Sequence, residues 1–398
     1  MQEGRLVSRL PLSDLLDLCP PGEPLPFRVI DGQGRLLLAR GQVLQDTRQL
    51  QALIDRGACV DAEEAAAARR ARSGATDDGE AGAAAVPRLL TWFDRFERQV
   101  WQLDALLRAL QAGEPVATRL TEFGAGQRAL VERQSDAALF VAVRQDDRRF
   151  ALYGLTHSLH CASVVLLTAR LLGWPAERLQ SAFMAALTMN AAIVELQARM
   201  AEQADPPTRR QIEQIRAHPL RSAQQLREAG VADDLWLASV EQHHERAGGR
   251  GYPQGLPAVD ETARLLRAAD VYTAKISPRA LRPAVRPQQA ARELFQEEQG
   301  SPLAAALIKA VGLHPPGEFV QLKSGEAAIV VHRADAGRAA QVTALLAAAG
   351  RPLPAAPRRD TGMPAWAIAA PLAEARREGL PRVLPEQVYG LLEAEPAG

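Results

Sequence analysis

Residues 243–257 read HHERAGGRGYPQGLP, and residues 264–282 follow as RLLRAADVYTAKISPRALR. The first segment ends a helical pattern in two adjacent imidazoles and then enters a turn rich in Gly and Pro. Neighbouring residues on a helix point about 100° apart. His243 and His244 therefore serve one cluster only at a helix end or between two neighbouring metals. The tight turn needs Gly249, Gly251 and Pro253 to set its backbone. Histidine is scarce, seven in 398 residues. Five of the seven, His157, His160, His218, His243 and His244, fall in one helical block. Neutral imidazole is the commonest transition-metal ligand, so chemistry is expected there.

Working outward, helical periodicity dominates residues 135–312, with interruptions at Gly173-Trp174-Pro175, Asp205-Pro206-Pro207, Gly230 and Gly248 to Gly255. Before it, residues 87–134 form a long helical segment in which Leu89, Leu90, Trp92, Phe93, Phe96, Val100, Leu103, Leu106, Leu107 and Leu110 recur at three- and four-residue spacings. That stripe serves core packing or pairing with a second copy. Residues 1–62 make a small β-containing unit, with a strand-turn-strand pattern around Asp31-Gly32 and Gly34. Residues 63–86 comprise a helix end and a Gly-rich, acidic linker. Residues 313–398 read as a small α+β cap, in which Ser324-Gly325 separates two β-like runs and Val342 to Ala348 reads as a short helix. The fold class expected is mainly α: a helical bundle with a β-containing N-terminal unit and an α+β C-terminal cap.

Composition narrows the function. Forty-seven Lys and Arg balance 47 Asp and Glu, which disfavours a general grip on a polynucleotide backbone. Aromatic residues are 5% of the chain, too few for a base-stacking surface. Cys19, Cys59 and Cys161 are odd in number and far apart, arguing against a disulfide framework and for a reducing, cytoplasmic setting. No signal-peptide pattern opens the chain and no uninterrupted apolar run of about 18 residues occurs, so no membrane partner is expected.

The segment from His243 resembles the HD-GYP family of the HD superfamily, whose pattern here is H-H-E-R-x-D-G-x-G-Y-P-x-G-L. His243, His244, Glu245, Arg246, Gly249, Gly251, Tyr252, Pro253, Gly255 and Leu256 match it. His157-Ser158 with Ala162 is similar to the family's first metal-binding helix, His218-Pro219 to its H-P motif, and Asp270 in Ala269-Asp270-Val271-Tyr272 to its late metal-binding aspartate. The resemblance covers about residues 153–331. It implies an HD-GYP-type helical bundle, a metal set of His157, His218, His243, His244 and Asp270, and hydrolysis of cyclic di-GMP by two or three metals, usually iron or manganese. It also implies a ligand-binding region at Gly251, Tyr252 and Pro253, with Arg279 and Arg282 at the family's basic positions. A guanidinium pair binds phosphodiester oxygens without any metal; solvated helix-end arginines are the alternative.

The departures fall on the chemistry. The aligned His-Asp pair of active members is Met189-Asn190, and the following Lys is Ile193. Gly248 and Thr273 replace two further aspartates. A neutral amide leaves two bridged cations undercompensated, and a thioether suits hard cations poorly. The five remaining ligands form an incomplete set, enough for one divalent transition metal (Fe, Mn, Zn or Ni) or for a hydrogen-bonded polar core without metal. The expected function is a degenerate HD-GYP protein of cyclic di-GMP signalling, a noncatalytic module that binds the nucleotide or a partner such as a diguanylate cyclase, with homodimerisation open. The alternative is a metal-dependent phosphodiesterase with a reduced, mononuclear site.

Overall fold

A computed structural model describes residues 9–20, 23–31, 36–42, 44, 50, 53–54, 57–73, 89–145, 150–335, 337–353, 356–377, 380, 383, 385–389 and 395–396. The Gly-rich linker expected within 63–86 lies outside these from residue 74 onward, as does the turn expected at Gly32 and Gly34. The chain forms two compact units, residues 1–88 and 89–398.

In the first unit, β1 (Arg9–Pro11), β2 (Val29–Ile30), β3 (Leu36–Leu38) and β4 (Cys59–Asp61) make an antiparallel sheet in the order β1-β4-β2-β3. Strand β4 runs directly into α1 (Ala62–Ser73), whose first turn is held by the Asp61 carboxylate accepting from the Glu63 amide at 2.8 Å. The sheet's buried side chains include Val29, Leu38 and Val60, beside Leu12, Leu15 and Phe27.

Between residues 92 and 311 the described part of the second unit is mainly helical. After the two-residue strand β5 (Leu89–Leu90), the periodic run gives α2 (Trp92–Gln111), opened by a capping box in which Thr91 and Asp94 satisfy one another's backbone amides. The stripe does not continue as one helix: Gly113 at φ +80° and Pro115 end it, and α3 (Ala117–Arg133) follows in a new direction. Trp92, Phe96, Val100, Leu103 and Leu107 are buried with residues from the helices that follow, as core side chains of this unit.

Next come α4 (Ser135–Val143), α5 (Tyr153–Leu171), α6 (Ala176–Thr188), α7 (Val194–Glu202), α8 (Arg209–Glu228), α9 (Asp234–Gln242), α10 (Glu261–Ile276), α11 (Pro287–Glu297) and α12 (Pro302–Val311). Helix α5 is apolar almost all round and packs on α4, α6, α10 and α12, as a central core helix must. Two stretches, Phe150–Leu171 and Ala176–Glu202, are long and apolar enough to cross a membrane, yet 83% of each window is buried inside the fold.

The cap is a five-stranded antiparallel sheet ordered β10-β6-β7-β8-β9, from β6 (Phe319–Leu322), β7 (Ala327–His332), β8 (Gln341–Leu346), β9 (Arg358–Asp360) and β10 (Ile368–Pro371). The short helix expected at residues 342–348 is therefore wrong: most of that stretch is β8, paired through Ile329↔Thr343 and Val330↔Val342. Its two faces meet separate apolar clusters, one holding Leu345 and Leu346, the other Val342. A strand buried on both faces loses the alternation that would identify it, and its apolar run reads as helix.

Candidate metal and ligand site

The interior of α8 and the C-terminal end of α9 bring the imidazoles together. His218 sits inside α8 just before Pro219. Proline has no N–H, so the Ile215 carbonyl four residues back loses its helical donor. The Nδ1–H of His218 takes that place, donating to the Ile215 carbonyl at 2.6 Å. His243 caps the C-terminus of α9, where the last carbonyls also lack partners. Its Nδ1–H donates to the Val240 carbonyl at 2.7 Å. A carbonyl cannot donate, so both rings carry their proton on Nδ1 and both Nε2 atoms present lone pairs.

Those Nε2 atoms stand 3.0 Å apart. Burial first, then His243, push the His218 pKa down to about 3, against the pull of the Ile215 bond and Asp270. Burial likewise lowers His243, and burial with the His243 charge holds His244 well below its ordinary value. Neutral, carbonyl-oriented imidazoles with converging Nε2 lone pairs are how metal-binding histidines are prepared. His218, His243 and His244 each offer a ligand atom within 4.8 Å of the others.

A second group of three has the same spacing: His157, Cys161 and Asp270. His157 and Cys161 lie one turn apart on α5, and Asp270 reaches them from α10. His157 Nε2 is 2.7 Å from Asp270 Oδ1 and 3.5 Å from Cys161 Sγ. Burial alone would raise the Asp270 carboxyl, but the His157 hydrogen bond and the surrounding imidazoles hold it well below the usual carboxylate range. Burial, then the Asp270 charge, push the Cys161 thiol well above its ordinary value. The Asp270 charge also acts on His218, His243 and His244. The structure thus gathers all five expected ligands, arranged as two trios once Cys161 is added. His160 turns away and stacks on Phe96, ring centroids 6.4 Å apart.

Met189 and Asn190 close α6. Met189 is fully buried in the apolar core, and Ile193 also packs inward. Asn190 is buried with its Nδ2 unpartnered among the described residues. The turn after Asn190 is pinned to the His218 helix by the Ala192 amide donating to Ser222 Oγ at 3.1 Å. The donor set therefore fits single divalent ions held by imidazoles and Asp270. At the position that the HD-GYP resemblance gives to a bridging aspartate, residue 190 brings no negative charge.

The loop after His244 is built around Glu245, which is buried and accepts from the amides of Gln254, Gly255 and Leu256 at 2.6, 3.1 and 3.1 Å. A Cβ on Gly251 would lie 2.3 Å from the Arg246 nitrogen, so only glycine fits. Tyr252, joined to Pro253 by a cis peptide, stacks on His244 with centroids 4.6 Å apart. Burial, then the Asp270 charge, raise the Tyr252 hydroxyl pKa, against the opposing pull of Arg216, Arg246 and Arg267.

Arg279 donates to the Tyr153 hydroxyl and lies over its ring, 4.6 Å from the centroid; Tyr153 in turn stacks on His157. Arg282 donates to the Ala274 carbonyl at 2.6 Å. Both arginines line a cavity of about 210 Å³ with Met200, Gln203, Asp205, Pro207 and Leu281. Cys161 and Tyr153 were given no role from sequence, and Glu245 and Pro219 were read there only as motif matches. Only the four-residue step from His157 to Cys161 was there to find the thiol.

The helical bundle gathers buried histidines and one aspartate from several helices, and residues 143–302 match the family described as HD domain. The cyclic di-GMP phosphodiesterase PA4108 of Pseudomonas aeruginosa is 26% identical over 185 residues, 46% of this chain and 45% of that protein. The chain thus spans less than half the length of this curated relative. A solved structure, Bd1817, an HDG“Y”P protein from Bdellovibrio bacteriovorus, is 18% identical, covering 76% of this chain and 98% of that one at a TM-score of 0.46. Residues 143–302 are thus an HD domain, and with its H-H-E-R and G-Y-P segment intact the helical block is similar to HD-GYP proteins.

Proposed function

We propose that this protein is a noncatalytic HD-GYP module of cyclic di-GMP signalling, binding the nucleotide through the Tyr252 loop and the Arg279–Arg282 pair. The observation that carries the reading is Asn190. By the HD-GYP resemblance it replaces a bridging aspartate, and it is buried next to the equally buried Met189. Two cations clamped around an attacking hydroxide need that negative charge between them. The curated relative's name supplies the nucleotide as the ligand class. Calorimetric titration with cyclic di-GMP should give a binding isotherm, and absence of heat up to high micromolar nucleotide defeats the proposal. A diguanylate cyclase or another signalling protein is the partner class that goes with this role, and cytoplasmic residence is the setting.

A second reading, a phosphodiesterase with a mononuclear metal site, is favoured by the neutral imidazole trio alone. Turnover of cyclic di-GMP with added manganese or iron, lost in His243→Ala, would replace the first reading with this one.

A further inference from the structure

We infer that His157, Cys161 and Asp270 form a thiolate-containing site for a borderline divalent ion of the zinc class. The inference is independent of nucleotide binding and would stand if that titration failed.

Cys161 Sγ is fully buried, yet it has only weak company. It lies 3.5 Å from His157 Nε2, 4.0 Å from His157 Nδ1 and 3.9 Å from the Ala269 carbonyl. The one His157 proton at Nε2 is already directed to Asp270 at 2.7 Å. Sulfur thus packs against the ring nitrogen, with the Thr273 side chain as its other polar neighbour. In a tetrahedral shell with Zn–N of about 2.0–2.1 Å and Zn–S of about 2.3 Å, the nitrogen–sulfur edge is about 3.5 Å. The observed nitrogen–sulfur separation is close to that edge, while the 2.7 Å contact of Nε2 with Asp270 opens by about half an ångström to admit the ion.

The donor set selects the metal. One imidazole, one thiolate and one carboxylate suit zinc, whereas hard manganese prefers oxygen donors. Two negative ligands neutralise one divalent cation, so the trio does not depend on the charge that Asn190 cannot supply. Asp270 keeps 15% of its side chain exposed, which gives the cluster contact with solvent. On binding, the thiol proton leaves to solvent as the sulfur–metal bond forms, and the His157 ring proton passes from Nε2 to Nδ1. No electron is transferred.

The test uses the full chain loaded with cobalt(II) as a spectroscopic stand-in. The expected result is a thiolate-to-cobalt charge-transfer band in the near ultraviolet, lost in Cys161→Ser and retained when Cys19 and Cys59 are both changed to Ser. Zinc affinity should fall at least about tenfold in Cys161→Ser while manganese affinity stays within about threefold. If Cys161→Ser does not fold, X-ray absorption of the zinc-loaded wild type decides, with a sulfur shell at about 2.3 Å expected. Absence of the band from wild type, its persistence in Cys161→Ser, or a zinc shell without sulfur overturns the inference.

Discussion

His218 and His243 face each other through their Nε2 atoms at 3.0 Å, each ring having spent its only proton on a backbone carbonyl. Two lone pairs at that distance repel unless a proton or a cation lies between them. Burial depresses both rings, so a cation is the better occupant at neutral pH.

The same burial sets the acid limit of the metal-free protein. His218 titrates near 6.5 when unfolded and at about 3 when folded, so between those values the unfolded chain binds the extra proton. Stability is full above pH 6.5 and declines as pH falls toward 3, by about 1.4 kcal/mol per pH unit for each histidine kept neutral. Urea unfolding of apoprotein at pH 7, 6 and 5 should show this decline, steeper than in His218→Gln.

Pro219 acts on the metal site by what it lacks. Pro219→Ala restores an amide that competes for the Ile215 carbonyl. Divalent metal affinity should fall by about tenfold, the lower part of the range for losing an orienting partner. Helix α8 should meanwhile gain up to about 3 kcal/mol. Thermal unfolding and metal titration together read this opposition, and a variant changed in only one of them contradicts it.

Gly251→Ala should cost about 1–3 kcal/mol, because backbone rather than a flexible side chain meets the added carbon. The Tyr252 ring should also leave its stack on His244, seen as a change in near-ultraviolet circular dichroism.

If Asn190 is what prevents a two-metal site, Met189→His with Asn190→Asp should raise metal content from at most one ion per trio toward a bridged pair, measured by elemental analysis. Asn190→Asp alone should bind manganese more tightly than wild type, since it adds the missing charge.

Arg279→Ala and Arg282→Ala should each weaken cyclic di-GMP binding at least about tenfold by calorimetry, as loss of a charge-assisted contact of about 1.5–3 kcal/mol implies. Arg279→Ala should cost more stability, because Arg279 also holds the Tyr153 hydroxyl.

The helical architecture was legible because α2, α8 and α10 carry one apolar stripe and explicit caps, as at Thr91, Thr208 and Asp260. The candidate ligands were legible because the H-P, H-H-E-R and A-D-V-Y segments keep their residue types and spacing. Strand β8 was not, since burial on both faces erased its period. Cys161 was not, since a cysteine in an apolar helix reads as core until the opposite wall is known.

Local chemistry along the chain was enough for the helices, while the five candidate ligands and the missing charge at Asn190 were read from short motifs through the HD-GYP resemblance. The pairing of lone pairs between His218 and His243, the grouping of Cys161 with His157 and Asp270, and the Tyr153–Arg279 contact depend on helices far apart in sequence. Long-range packing alone sets those distances, and a few tenths of an ångström separate a hydrogen-bonded core from a metal site.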